Sequence, residues 1–450
     1  MNKLRSLMVD LPEDVKKLVT YGDFSEALNL IDLYMTRNIP QILKDRLTFE
    51  KDRIRRFKED YKYSPNEALA LAQENIKDFK KEELEYLKNE RYADWIYVDG
   101  KVKFHKRFLQ NSIRIHPNLK NRLIEPTLDN DSNILEKTID NIIKHGEKKY
   151  FIHVKTGLKL KPEYVKEGET IRVHLPIPRN AQQIKNIKIL NTSHEPKFIS
   201  PVNHPQRTIY FEEVVRAEDN FTVEYSYESH IQYNVLSPDR VSKDQPTFYT
   251  EEWLPHIRFT PLLIELAKEI IEDEQNPLMK ARKIYNYITE NIQYSYVRQY
   301  ASITNVPEYA AYNLKGDCGI QAILFITLCR IVGVPARWQS GLVVNPYYIG
   351  CHDWAEFYVE PYGWVFADPS FGGGGLRTGN KKRWNFYFGN LDPFRMISNS
   401  EFHYELYPEK NFLRQDPYDN QEGEMEYLDE PIFHNKYDVI QEIIEVSEIK

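Results

Sequence analysis

The apolar residues of this 450-residue chain change their spacing twice, and those two changes limit what it can fold into. Up to about residue 147 the period is helical. Asp23-Phe24-Ser25-Glu26-Ala27-Leu28-Asn29-Leu30-Ile31 shows it, as does Asn66-Glu67-Ala68-Leu69-Ala70-Leu71-Ala72. Ser64-Pro65 supplies a cap and a proline at the first helical position of the second run. Asp94 to Phe104 reads as one small hairpin turning at Asp99-Gly100. From Lys148 the period becomes two: Thr170 to Leu175 and Phe221 to Glu228 alternate strictly, with turns such as Glu167-Gly168-Glu169. That is the pattern of an antiparallel sandwich. At Thr260-Pro261 helices return, and Asn276-Pro277 repeats the signal. The expected fold is multidomain α+β, with a mainly helical N-terminal domain over 1–147, a β-sandwich over 148–250, an α+β domain over 251–400 and an acidic extension over 401–450.

Charge narrows the function. Residues 401–450 hold 14 acids and 4 bases, so the first 400 carry a net charge near +3 against −7 for the whole chain. No basic domain is left to follow a phosphate backbone, and nucleic acid is not an expected partner. The acidic end reads as a solvated tail. Three cysteines cannot staple a chain of this size, no apolar run reaches membrane length, and the first ten residues lack a signal-peptide core. A cytoplasmic protein without membrane association is expected. Asp129-Asn130-Asp131-Ser132-Asn133 imitates a calcium loop, but Ile134 stands where glycine is needed and Asp140 where glutamate is needed, so a helix-capping turn is expected instead. His105 and His116 read as surface histidines, and Gly372-Gly373-Gly374-Gly375 as a mobile loop or linker.

One stretch carries chemistry. Lys315-Gly316-Asp317-Cys318-Gly319 is a glycine-flanked turn running into an apolar helix, which puts Cys318 at a helix N-terminus. Unpaired N–H groups and the helix dipole favour a thiolate there. Cys329, three turns on among leucine and isoleucine, reads as an inert core thiol. After Gly333-Val334-Pro335 come three strands. His352 lies in the second, and Asp368 ends the third, 34 residues beyond Cys318 and 16 beyond His352 respectively. His352 and Asp368 share parity across the hairpin. Pairing Phe357 with Gly363 would leave five loop residues and set the two directly opposite, so that the carboxylate fixes one tautomer of the imidazole. Asp353 would point away from the site.

Gly-Asp-Cys-Gly at the helix start, Gly-Val-Pro-Ala-Arg after it, then His-Asp-Trp-Ala-Glu and Tyr-Gly-Trp-Val-Phe-Ala-Asp-Pro-Ser resemble the core of the transglutaminase-like superfamily. That papain-like group includes transglutaminases, bacterial cysteine peptidases and peptide N-glycanases, and the resemblance spans Ile284 to Phe371. It implies a papain-like α+β core in which Cys318 is the nucleophile, His352 the general base and acid, and Asp368 the residue orienting the histidine. Trp354 and Glu356 match a structural segment. No cofactor or metal is implied, since neither the calcium sites of animal transglutaminases nor the zinc cysteines of peptide N-glycanases have counterparts. The expected activity is cysteine-dependent acyl transfer on a protein or peptide substrate, hydrolysing or transamidating an amide. The alternative is a catalytically inactive binding or scaffold protein. The oxyanion would be held by the Cys318 N–H and a second donor, for which Gln293 and Tyr296 are candidates. The aromatic segment Thr247 to Ile257 is expected to be buried between sandwich and core, and the oligomeric state is open.

Overall fold

A computed structural model describes residues 3–125, 131–217 and 219–449. Asp129 and Asn130 of the calcium-like run fall outside them. The chain divides into two compact units. The smaller takes residues 1–128, Trp253–Arg258 and Ile292–Asp317, and the larger takes the rest.

The smaller unit is helical, as the periodicity requires. Helices Glu13–Tyr21, Phe24–Met35 and Gln41–Asp60 enclose Val15, Phe24, Ala27, Ile31, Leu47, Ile54 and Phe57. Helices Pro65–Asn75, Lys81–Asn89 and Phe108–Ile115 enclose a second core around Ala68, Leu84, Phe104 and Phe108. Ser64 and Glu67 form a reciprocal capping box at the head of Pro65–Asn75. The hairpin is present, with Trp95–Val98 paired to Lys101–Phe104. His105 is fully buried rather than superficial, and burial lowers its pKa. Its ring stands edge-on to Tyr61. His116 is half-buried between Tyr86 and Tyr92.

The larger unit begins with helix Asp131–His145, which leads into the sandwich. One sheet runs in the order Tyr437–Glu448, Glu147–Leu160, Asn220–Gln232, Ile184–Thr192. The other runs Pro431–Ile432, Glu424–Tyr427, Thr170–Pro176, Thr208–Val214, Phe198–Ile199. Alternation supplies the core: Ile152, Val154, Phe221, Val223 and Tyr225 from one sheet meet Ile171, Val173, Ile209 and Phe211 from the other. Each such side chain contributes roughly 1.5–3 kcal/mol by leaving water.

The solvated-tail reading of the acidic end is therefore corrected. Tyr437–Glu448 pairs along Glu147–Leu160, and Glu424–Tyr427 pairs with Thr170–Pro176. Two buried acids of this end are matched by buried cations. Glu424 is held by Lys410 at 3.0 Å and Arg414 at 2.9 Å, and Glu426 by Arg172 at 2.8 Å, all of them inside the protein. A charge count sees only the net sum, not these pairs.

A third sheet, all antiparallel, runs Phe388–Gly389, Gly363–Ala367, Tyr348–Val359, Ala336–Asn345, Arg395–Asn399. Helix Cys318–Ile331 lies against it and is buried on every side from Gly319 to Arg330, which explains a sequence apolar on every face. Helices Pro261–Ile271 and Pro277–Asn291 begin where the prolines place them. Thr260 caps the first, and Asn276 accepts from Leu278 and Met279 in the second. The Thr247–Ile257 segment is less buried than its composition suggests. Phe248 packs on Tyr358 and Trp364 yet is 44% exposed, and Trp253 and Leu254 are about as open, while His256 and Ile257 are buried. No helix among the described residues is long and apolar enough to cross a membrane.

Candidate active site

Cys318 is the first residue of its helix, and its side chain is partly exposed. Cys329, three turns on, is wholly buried, and burial pushes its thiol pKa well up. His352 lies in the central strand of the third sheet and is 4% exposed. Asp368 directly follows the neighbouring strand, Gly363–Ala367.

The hairpin register differs from the one expected. Val359 pairs with Gly363 and Phe357 with Val365, so the loop has three residues rather than five. His352 is then offset by two residues from the position opposite Asp368. Parity still holds, so the two side chains share a face. His352 Nε2 and Asp368 Oδ2 are 2.8 Å apart.

Asp368 is fully buried and saturated with partners. Its Oδ1 caps helix Pro369–Arg377, accepting from Phe371 N at 3.0 Å and Ser370 Oγ at 3.2 Å. Its Oδ2 faces His352 and, at 3.0 Å, Arg395 Nη1. Burial would raise this carboxyl, but His352 and Arg395 outweigh it and hold the pKa well below the carboxylate range. An ionised Asp368 can only accept, so His352 Nε2 donates, and Nδ1 is left as the basic nitrogen. Burial lowers the imidazole pKa, Asp368 raises it and Arg395 lowers it again, with a net downward shift. The ring is packed between Phe371, at 4.5 Å, and Trp354, at 5.9 Å.

The glycine run is part of this support rather than a loop. Gly372 to Gly375 lie in helix Pro369–Arg377, and a Cβ on Gly372 would come within 1.7 Å of Tyr285 Oη. Only a residue without a side chain lets the Asp368-capped helix approach that closely.

Asp353 corrects a second expectation. It does not point away: Cys318 Sγ lies 3.4 Å from Asp353 Oδ2. Asp353 and Phe357 share one face of their strand, and Phe357 packs on Phe325 of the Cys318 helix. Gln421 donates to Asp353 Oδ1 at 2.8 Å and to His352 O at 3.0 Å, which brings the C-terminal segment onto this strand. Asp419 is also there. Burial, Asp416 and Asp353 push its pKa well up, favouring the protonated acid beside Asp353.

Glu356, fully buried, pairs with Arg337 at 2.6 Å, and Trp354 donates to Gln339 at 2.9 Å, as suits a structural segment. Gln293 and Tyr296 belong to the smaller unit, whereas Cys318, His352 and Asp368 belong to the larger. Gln293 starts a two-residue strand parallel to Lys315–Gly316. Tyr296 is fixed by two hydrogen bonds between its backbone and Asn111 and by Arg107 and Arg114 over its ring. Sequence reasoning missed Arg395 and Asp392, whose only signal is two charges within the otherwise apolar Leu391 to Ile397. Among the described residues no cluster of histidine, cysteine and carboxylate could hold a metal ion.

Residues 264–369, which include Cys318, His352 and Asp368, match the model of the transglutaminase-like superfamily core. The chain carries a transglutaminase-like core. Two curated relatives are themselves uncharacterized proteins. One, from Haemophilus influenzae, is 26% identical over 187 residues, which is 34% of this chain and 50% of that protein. The other, YebA of Bacillus subtilis, is 24% identical over 243 residues, which is 46% of this chain and 31% of that protein. The chain thus spans half or less of the curated relatives it matches. Among solved structures, a protein of Cytophaga hutchinsonii described as a candidate cysteine protease is similar at 13% identity and a TM-score of 0.41, covering 68% of this chain and 91% of that one. The periplasmic domain of TgpA from Pseudomonas aeruginosa is similar at 14% identity and a TM-score of 0.28, covering 55% and 95%. At these scores the structural likeness is remote. The transglutaminase-like core here is bordered by the sandwich, with Leu342, Trp354, Phe366 and Met396 continuous with the sandwich core.

Proposed function

We propose that the chain is a cysteine-dependent acyl-transfer enzyme that hydrolyses peptide or side-chain amide bonds, and transamidates where an amine takes the place of water. The observation that supports this most is the His352–Asp368 hydrogen bond, within a matched core whose Cys318 heads a buried helix. For this the Cys318 side chain, whose sulfur rests against Asp353, must turn to give its proton to His352 Nδ1, and the sulfur then attacks the amide carbonyl. The carbonyl oxygen takes the negative charge and is met by the Cys318 N–H at the helix start. The C–N bond breaks, the leaving amine takes the proton from His352, and a thioester remains. Water then adds with His352 as base, the carboxylic acid leaves, and Cys318 regains its proton. Asp368 stabilises the imidazolium that forms in each half.

The test is mass spectrometry of a peptide library incubated with the full chain, with and without a primary amine, beside Cys318→Ala. Cleavage, deamidation and amine incorporation have different mass changes. A library unchanged relative to Cys318→Ala would overturn the proposal.

A second reading, an inactive binding or scaffold protein, is favoured by one contact: Cys318 meets the carboxylate of Asp353 at 3.4 Å, and a carboxylate there opposes a thiolate. In that case Cys318 would be alkylated no faster than an ordinary thiol, with a midpoint at or above roughly pH 8.5 that does not change in His352→Ala.

A further inference from the structure

Behind Asp368 lies a fully buried cation with two acids to serve. Arg395, on the edge strand Arg395–Asn399, binds Asp392 Oδ2 through Nε at 3.0 Å and Nη2 at 2.6 Å. Tyr387 donates to the same oxygen at 2.9 Å. The third nitrogen, Nη1, lies 3.0 Å from Asp368 Oδ2 but off the line of a hydrogen bond, so this contact is a charge pair. The guanidinium also sits 4.4 Å from the Phe371 ring centre and 5.1 Å from that of Trp354, the two rings that pack His352. His352 and Arg395 therefore compete for one oxygen of one carboxylate. The edge strand comes this close because of Gly341, which pairs with His352 on one side and Ile397 on the other. A Cβ there would come within 2.0 Å of Met396 O.

We infer that Arg395 is a positioning residue of the same site, sharing Asp368 with His352 so that the imidazole is held in its neutral form until the thiol proton arrives. This rests on the Cys318–His352–Asp368 reading. The physical ground is geometric. A carboxylate serving an imidazole alone stabilises the imidazolium with its full charge, and one already paired with a buried guanidinium does so with less. The downward pKa shift of His352 agrees with it. The charged and titratable groups around the imidazole are Asp368, with Tyr285 and Arg383 beyond it, then Arg395, Asp392 and Tyr387, and Asp353 with Asp419 beside its own strand. Arg395 is the cation nearest to Asp368 among them.

The experiment is an NMR titration of the His352 ring nitrogens in the full-length protein. It compares wild type with Arg395→Lys and with the charge-balanced double variant Arg395→Met, Asp392→Asn. Removing Arg395 alone would strand two buried carboxylates and risk unfolding, which the double variant avoids. The His352 midpoint should rise by about half a pH unit in the double variant, because the lost cation lies 3.0 Å from Asp368 while the lost Asp392 carboxylate is held by the other nitrogens of the guanidinium and offsets only part of it. Arg395→Lys should restore most of the wild-type value. A folded double variant with an unmoved midpoint overturns the inference. Parallel peptide assays keep the two readings apart: if wild type processes no peptide while the His352 midpoint still shifts, the acyl-transfer proposal fails and the Arg395 coupling stands.

Discussion

Gln421 places its side-chain amide 2.8 Å from Asp353 Oδ1, while the other oxygen of that carboxylate faces Cys318. A residue from the acidic C-terminal segment is thereby joined to the carboxylate beside the candidate nucleophile.

Deletion of Asp416 to Lys450 is expected to abolish cooperative unfolding. It removes three paired strands and buried Tyr418, Met425, Tyr427, Ile432 and Tyr437. At roughly 1.5–3 kcal/mol each, their loss equals the roughly 5–15 kcal/mol of a whole domain. Urea denaturation followed by circular dichroism checks this, and a sharp transition retained at the wild-type midpoint would refute it.

Asp353→Asn is expected to speed alkylation of Cys318 severalfold at neutral pH, because it removes a negative charge 3.4 Å from the sulfur. Cys329, buried, should stay unlabelled in the native state. Peptide mapping after a timed iodoacetamide pulse separates both from Cys351, which is exposed. Equal labelling of Cys318 and Cys329 would remove the nucleophile assignment.

Asp368→Asn is expected to lower kcat on the order of 10²- to 10⁴-fold and leave a measurable remainder, whereas Cys318→Ala leaves none. The asparagine loses the charge that orients and stabilises the imidazolium, while the thiol survives. A fully active, folded Asp368→Asn would break the His352–Asp368 reading.

Acid should weaken the larger unit between pH 4.5 and 2. Burial works against ionised Glu424, but Lys410 and Arg414 bring its pKa from 4.5 down to about 2. A carboxyl whose folded pKa is depressed adds stability above its unfolded pKa and loses it as pH falls through the folded one. The shift corresponds to about 3 kcal/mol. Glu424→Gln should lose at least that much at pH 7 and flatten the pH dependence, as read from denaturation midpoints at pH 7, 4 and 3.

The order of helical, sandwich and mixed regions was legible because side-chain period reports local structure directly, and Thr260-Pro261 and Asn276-Pro277 mark real helix starts. The shared face of His352 and Asp368 was legible for the same reason: parity survives a change of loop length, although the loop proved two residues shorter. What failed depended on distance in sequence. Alternation separates Asp353 from His352 but does not say which side the Cys318 helix takes. Arg395 has no spacing relation to Asp368, since the two meet through packing on either side of the Tyr348–Val359 strand and its neighbour. Likewise, 14 acids against 4 bases resemble a solvated tail until the fold brings Lys410 and Arg414 onto Glu424, and Arg172 onto Glu426 from 254 residues away.

The pairing of Tyr437 with Leu160 has a kinetic consequence. During synthesis the Glu147–Leu160 strand emerges with Asn220–Gln232 soon after it, but its other edge stays open until the strand beginning at Tyr437 is made. At roughly 5–20 residues per second, that is a wait on the order of tens of seconds. Throughout it, a fourteen-residue strand exposes unpaired N–H and C=O groups. The sandwich thus cannot be completed as the ribosome advances, and the last edge of this sheet closes only after residue 448 has been translated.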